Sequence, residues 1–366
     1  MFYADCQHAG VELAAHHYPQ YPHSLLQPIA VLTSDFDYEL PQERIAQRPS
    51  SPRDFSKLLV LNRTSGEIRH HVFHEITKFL GQNDVLILNE TKVIPARIHG
   101  WKKDTGGKIE ILLIRKNSSS EWECIVRGKG LTPGVKLAFP GNLQGEILTD
   151  MGETRRVVKF SHPISSRLDE IGVMPLPPYI HEPLRDKEEY QTIFARHPGS
   201  VAAPTAGLHF TPELLLELKK AGVTLLYITL HIGLDTFVPI RSDDPSDHAI
   251  HSEWCQVSAS VANVINTARE KGKRIVGGGT TTVRALESAS SGTHVNPYEG
   301  HTILYILPGY RFKTVDAMIT NFHLPRSSLL MMVSAFAGRD LIMDTYQIAV
   351  KKDYRFYSFG DAMLIE

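Results

Sequence analysis

The feature that most restricts this chain's fold is a helix–strand unit between residues 211 and 230, followed further on by a second one. Thr211-Pro212-Glu213 is a helix start: a hydroxyl for the N-cap, a ring that pre-sets φ at the first helical position, and an acid in the first turn. Leu214, Leu215 and Leu218 form the apolar stripe, and Gly222 ends the helix. Val223 to Leu230 then reads as a buried strand, since it is β-branched, aromatic and nearly free of charge. In the second unit, a helix over Val261–Lys271 closes at Gly272, and the strand Arg274–Val276 runs into a glycine-rich turn, Gly277 to Arg284. Two such units predict a parallel or mixed sheet with right-handed crossovers.

Between about Ile94 and Phe160 the texture changes to short β-rich runs, such as Lys108–Ile114, Trp122–Val126 and Arg156–Phe160, separated by Gly and Pro turns. Strands of this length and spacing predict a small β-barrel or sandwich. The expected fold class is therefore α/β, a mixed-sheet main domain (32–93 and 162–366) with an inserted small β-barrel domain (94–161). Residues 1–31, which carry His8, His16, His17 and His23 without a clear period, read as a poorly ordered N-terminal extension. Arg185–Phe194 reads as a charged surface helix or lid, and Ser327–Ala337 as an apolar helix.

Composition excludes several classes. Hydrophobic residues at 42% and charged residues at 22% fit a globular enzyme. A net charge of −1 gives no global attraction to nucleic acid, and Lys and Arg are spread too evenly to nominate a patch. Cys6, Cys124 and Cys255 fit no disulfide framework, and the first residues show no secretory pattern. A cytoplasmic monomer without a membrane span is expected.

Loops outside the carboxyl ends of strands are where open α/β sheets bind ligands. The Gly277–Arg284 turn leads into a helix near Thr281, whose free N–H groups and hydroxyls suit a carboxylate or phosphate. It is neither GxGxxG nor GxxxxGK[ST], so the usual nucleotide readings fail. His209, His231 and His323 each sit where a loop meets a regular element, and neutral imidazole can move protons near pH 7. His248, His251 and Glu253 could present metal ligands, but no second cluster has zinc spacing, so hydrogen bonding is expected and no metal.

Seven blocks, taken together, resemble the S-adenosylmethionine:tRNA ribosyltransferase-isomerase family of queuosine biosynthesis. They are Asn89–Arg97, Met174–Ile180, Val201–Phe210, Thr229–Gly233, Gly279–Ser288, Thr320–Pro325 and Tyr357–Met363, in family order. The resemblance implies an α/β domain with an inserted barrel. It implies transfer of the ribosyl part of S-adenosylmethionine to 7-aminomethyl-7-deazaguanine at the wobble position of tRNA, with isomerisation to an epoxycyclopentanediol and loss of adenine and methionine. The partners are then that tRNA and S-adenosylmethionine, the latter a substrate, with no cofactor.

Such chemistry needs a base beside the sulfonium, help for departing adenine, and donors for the methionine carboxylate. His209, His231 and His323 are the proton-transfer candidates. Thr280, Thr281, Thr282 and Arg284 are the anion-holding candidates, while Glu253 or Glu287 would meet ribose hydroxyls or the α-ammonium. One cleft wall is expected from Pro204–His209, with Thr205 and Gly207, and from His231–Thr236, including Thr236. The opposite wall is expected from Gly279–Arg284 and Asn321–His323. The chain departs from the family at Asp235, where Gly is usual, at Glu90, where Asn or Asp is more common, and in the extra glycines of Gly277–Gly279. Two alternatives follow: a tRNA-binding relative without turnover, or a transferase using S-adenosylmethionine on a small molecule.

Overall fold

The computed structural model describes residues 31–233 and 239–366. β1 (Lys57–Leu61) and β2 (Ile68–Val72) form a hairpin, followed by β3 (Asp84–Asn89) and the short β4 (Thr91–Val93). Six strands follow without a helix: β5 (Arg97–Lys102), β6 (Lys108–Lys116), β7 (Glu121–Arg127), β8 (Lys136–Phe139), β9 (Leu143–Asp150) and β10 (Arg155–Phe160). After α1 (Leu168–Ile171), β11 (Gly172–Val173) and β12 (His197–Ser200) come α2 (Pro212–Lys220), β13 (Thr224–Leu230) and β14 (Glu253–Val257). Then come α3 (Ala259–Glu270), β15 (Arg274–Gly278), α4 (Thr280–Ala289), β16 (Ser290–Ser291), β17 (His294–Val295) and β18 (Tyr298–Thr302). β19 (Ala317–Asn321), α5 (Ser328–Ala337), α6 (Arg339–Lys351) and β20 (Ala362–Ile365) complete the chain.

Among the described residues, nine strands make one mixed sheet in the order β18-β14-β13-β3-β15-β19-β20-β1-β2. Its central four, β13, β3, β15 and β19, are parallel neighbours. Because strand side chains alternate, each central strand feeds two cores. Val85 and Ile87 of β3 join the core under α3, α4, α5 and α6, while Leu86 and Leu88 join the core under α2. α2 forms as its sequence predicts: the Thr211 hydroxyl accepts the Leu214 N–H, and Leu214, Leu215 and Leu218 are buried, contributing roughly 1.5–3 kcal/mol each. The mixed α/β sheet of the sequence reading is present.

β5, β6, β7, β10, β9 and β8 pair antiparallel in turn, and β8 also pairs with β5, so the six strands close into a barrel. Its interior is filled by alternate residues such as Ile98, Ile111, Leu113, Cys124, Phe139 and Val158. Glycine is required at position 100, where a Cβ would lie 2.5 Å from both the Ala138 carbonyl and the Phe139 ring.

Two elements differ from expectation. Arg185–Phe194 is not an α-helix; it has a single 3-10 turn, Lys187–Tyr190, preceded by exposed charged residues and followed by buried Gln191 and Thr192. The Gln191 amide clamps β4 by donating to the Val93 carbonyl and accepting from its N–H, which ties the segment to the interior. α6 was not anticipated, because its apolar positions are interrupted by charge; Ile342, Thr345, Tyr346 and Ala349 form its buried face. Among the described residues, no helix is long and apolar enough to cross a membrane. Residues 1–30, Asp235 and Thr236 lie outside the described residues.

Candidate active site

The parallel strands β13, β3, β15 and β19 all end on one edge, and their last residues converge there. Asn89, at the end of β3, ties this strand end to the end of β13 and to the first turn of α4, the helix that follows β15. Its amide donates to the Leu230 carbonyl at 3.0 Å and to Thr281 Oγ1 at 3.2 Å, and its Oδ1 accepts the N–H groups of Thr91 and Leu230. Beyond these ends lies a cleft. Ala203–Ala206, Ile232, Gly279–Thr281, Thr320–Leu324 and Ser327 line it. A second, smaller hollow, walled by His251, Glu253, Arg284, Leu304 and Met332, shares Thr280, Thr281 and Leu329 with the first. The two are compartments of one cleft, meeting at the start of α4.

That start is shaped to receive a ligand. Gly279 caps α4 with φ +104° and ψ 149°, a conformation open to glycine, and offers no capping side chain. Thr280 and Thr281 both line the cleft, and the first-turn N–H groups of α4, at the positive end of its dipole, have no capping side chain. Thr282, the third candidate in this turn, is turned away: its hydroxyl donates to the Gly278 carbonyl at 2.9 Å and it is fully buried.

The larger compartment is partly aromatic. Tyr179 and Tyr357 pack with ring centroids 4.7 Å apart, and the Tyr179 and Ser358 hydroxyls share a 2.7 Å hydrogen bond. Tyr357 holds φ +70°, an uncommon value for a bulky residue, and its N–H donates to the Phe322 carbonyl. Tyr179, Tyr357, Ser358, Ser327 and Leu329 were missed in the sequence reading. Tyr179, Tyr357 and Ser358 stand in two of the blocks that carry the family resemblance, which was the signal available.

The three histidines separate. His323 lines the cleft; its backbone N–H donates to the Tyr346 hydroxyl, its carbonyl accepts from Tyr38, and Nε2 lies 2.7 Å from Thr320 Oγ1. When the Thr320 hydroxyl donates to the Asn321 carbonyl, 3.2 Å away, Nε2 carries the proton and Nδ1 presents a lone pair. His209 is placed behind the wall rather than in it. It stacks on Phe73, pairs through Nδ1 with Ser56 Oγ at 2.7 Å, and accepts through Nε2 from the Asn321 amide at 3.2 Å. His231 is also outside the lining, stacked on Trp254 with Nδ1 2.7 Å from Thr91 Oγ1.

Asn321 is fixed from three directions. Its amide N–H groups go to His209 and to the Tyr357 carbonyl at 3.2 Å, and its Oδ1 accepts from Thr205 at 3.1 Å. Thr205 and Asn321 thus both line the cleft, but as bonded neighbours rather than on opposite walls. Gly207 does not: it packs inward, where a Cβ would meet Thr192 at 2.9 Å and Phe194 at 3.0 Å.

Two charged candidates need correction. Arg284 is no free anion clamp: Nη1 donates to Glu253 at 2.5 Å, Nε to the Leu304 carbonyl, and Nη2 to the His251 and Thr302 carbonyls. Glu253 in turn accepts the Gly233 N–H at 2.9 Å and faces the smaller compartment. Glu287 is away from the cleft altogether, accepting from the Lys313, Thr314 and Val315 N–H groups and from Tyr310. Both corrections concern partners distant in sequence. Among the described residues, no group of three His, Cys, Asp or Glu could hold a metal.

Burial pushes the His209 and His323 imidazoles from the ordinary 6.5 down to about 3, and His231 to about 4. All three are neutral at pH 7. The unfolded chain protonates them near 6.5, so it binds more protons than the folded chain in this interval. The contribution to stability is therefore whole above about pH 6.5 and is lost as pH falls toward the folded values. The thermal midpoint should drop steadily between about pH 6.5 and 4.5, and less steeply in His209→Asn. Equal slopes in the two proteins would contradict a neutral buried His209.

Comparison with known proteins gives the family. A family model described as a queuosine biosynthesis protein matches residues 33–365. The S-adenosylmethionine:tRNA ribosyltransferase-isomerase of Halothermothrix orenii is 50% identical over 336 residues, covering 90% of this chain and 98% of that protein. The protein of the same name from Symbiobacterium thermophilum is 51% identical over 338 residues, covering 91% and 99%. The crystal structure of S-adenosylmethionine tRNA ribosyltransferase from Thermotoga maritima is similar with a TM-score of 0.54 at 41% identity, covering 91% of this chain and 100% of that one.

Proposed function

The chain belongs to the queuosine biosynthesis family, and from that premise we propose that it is an S-adenosylmethionine:tRNA ribosyltransferase-isomerase. It transfers the ribosyl moiety of S-adenosylmethionine to the aminomethyl group of 7-aminomethyl-7-deazaguanine at the tRNA wobble position and isomerises it to the epoxycyclopentanediol. Adenine and methionine leave. The observation that carries this reading is the two-compartment cleft joined at the uncapped start of α4, with His323 on its wall. S-adenosylmethionine needs one flat apolar compartment, one polar compartment and a base between them.

The purine lies in the compartment of Tyr179, Phe322 and Tyr357. Asn321, unable to flip because both N–H groups have protein acceptors, keeps capacity on Oδ1 for the exocyclic amine of adenine. His209 is a positioning residue for Asn321. The methionine carboxylate takes the Thr280 and Thr281 N–H groups, which places the amino-acid end of the substrate toward the smaller compartment.

The sulfonium acidifies the adjacent ribose carbon, and His323 Nδ1 takes its proton. Burial keeps this imidazole in its base form, and its cation gains stability as the carbon beside it becomes anionic. The test is incubation with S-adenosylmethionine and tRNA bearing 7-aminomethyl-7-deazaguanine. Adenine and methionine should appear only when that tRNA is present. Binding without release would favour a relative that lacks turnover, and release without tRNA a small-molecule acceptor.

A further inference from the structure

Residues 94–161 hold 12 Lys and Arg against 7 Asp and Glu, an excess of five positive charges in a chain whose net charge is −1. The structure sorts these cations in a way that composition cannot. Arg97 and Arg127 pair with Glu110, Arg115 and Arg155 with Glu123, Lys136 with Glu146, Arg156 with Asp150 and Lys159 with Glu121. Lys102, Lys103, Lys108, Lys116 and Lys129 are in no ion pair among the described residues. Lys116, at the far end of β6, donates to Ser165 Oγ at 3.3 Å, and the other four gather at one end of the barrel, on the β5–β6 turn and the loop after β7.

Their proximity is set by the backbone. Lys102 Nζ donates to the Lys129 carbonyl at 3.2 Å, the Lys102 N–H donates to Gly107, and the Lys103 N–H donates to the Lys136 carbonyl. Lys103, Lys108 and Lys129 are exposed. Trp101 lies directly across from Lys108 in the β5–β6 register and is 45% exposed on the outer face of the barrel. Asp104 in the same turn is the nearest carboxylate in sequence, and it leaves the cluster clearly positive. Unneutralised lysines on mobile stems beside an exposed indole suit a polyanion that also offers flat bases.

We propose that this end of the barrel grips the phosphate backbone of the tRNA, with Trp101 available to stack on an unpaired base. The proposal rests on the tRNA reading above and adds the surface that takes the partner. Phosphate contacts position a nucleic acid without reading its sequence, so this surface sets affinity and register while the cleft selects the modified base. The arrangement also accounts for a chain of near-zero net charge that binds RNA: the attraction is local.

The test uses the full chain with Lys102, Lys103, Lys108 and Lys129 all replaced by glutamine. Binding of the tRNA is followed by fluorescence anisotropy over a range of salt concentrations, and S-adenosylmethionine binding by calorimetry. We expect tRNA affinity to fall about tenfold or more near physiological salt, and the slope of log K against log salt to shrink by about 2–3, at roughly 0.7–0.9 per lost phosphate contact. S-adenosylmethionine affinity should be unchanged, which certifies the fold. An unchanged affinity and salt slope in the variant would overturn the proposal. Because binding is read apart from turnover, wild-type protein that binds tRNA but releases no adenine would sink the functional reading alone.

Discussion

Replacing Arg284 by alanine should lower the stability of the folded protein by about 3–5 kcal/mol, the range for removing one partner of a buried ion pair. Arg284 and Glu253 are 7% and 6% exposed, and each has other hydrogen bonds that hold it in place. Without the guanidinium, Glu253 keeps a buried charge beside the Gly233 N–H, and the Leu304, His251 and Thr302 carbonyls lose their donors. Urea unfolding measures the loss directly. Unaltered stability together with weakened S-adenosylmethionine binding would make Arg284 a substrate clamp after all.

His323→Ala should slow adenine release by at least about 100-fold, the scale of a general acid–base contribution, while S-adenosylmethionine still binds. Its backbone is held by Tyr38 and Tyr346 independently of the imidazole, so the loop keeps its shape in the variant. His209→Asn should act differently. It disturbs the orientation of Asn321, so its first effect falls on S-adenosylmethionine affinity and on discrimination between adenine and a 6-oxo purine. A near-wild-type rate for His323→Ala would remove it from proton transfer.

How far the site could be read from sequence depended on the range of the interactions involved. The helix start at Thr211, the strand after Gly222 and the glycine-rich turn before α4 are local signals, set by caps, backbone freedom and alternation, and they appear where expected, although the strand is fully buried only over Ile228–Leu230. So do Thr205, Thr280, Thr281, Asn321 and His323 in one cleft, because all lie at the carboxyl ends of parallel strands or in the loop packed against them.

Side-chain pairing across long separations left no such trace. Nothing near Arg284 announces that Glu253 and the carbonyls of β18 and its flanks will fill its donors. Nothing near His209 shows that Ser56 and Asn321 will take both nitrogens. Glu287 looked like a site residue because it follows the glycine-rich turn; the helix instead points it at three N–H groups preceding β19. The barrel lysines show the same limit, since their number is plain in the sequence but their freedom from ion pairs is a property of the fold.

On the reading proposed above, S-adenosylmethionine spans the two compartments across the start of α4. A crystal structure of the protein with S-adenosylmethionine bound tests it most directly. The account predicts the purine beside Tyr179 and Tyr357 with its exocyclic amine at Asn321 Oδ1, the methionine carboxylate on the Thr280 and Thr281 N–H groups, and the sulfonium-bearing carbon within reach of His323 Nδ1. A ligand lying outside this cleft, or one whose sulfonium-bearing carbon is remote from His323, would contradict it.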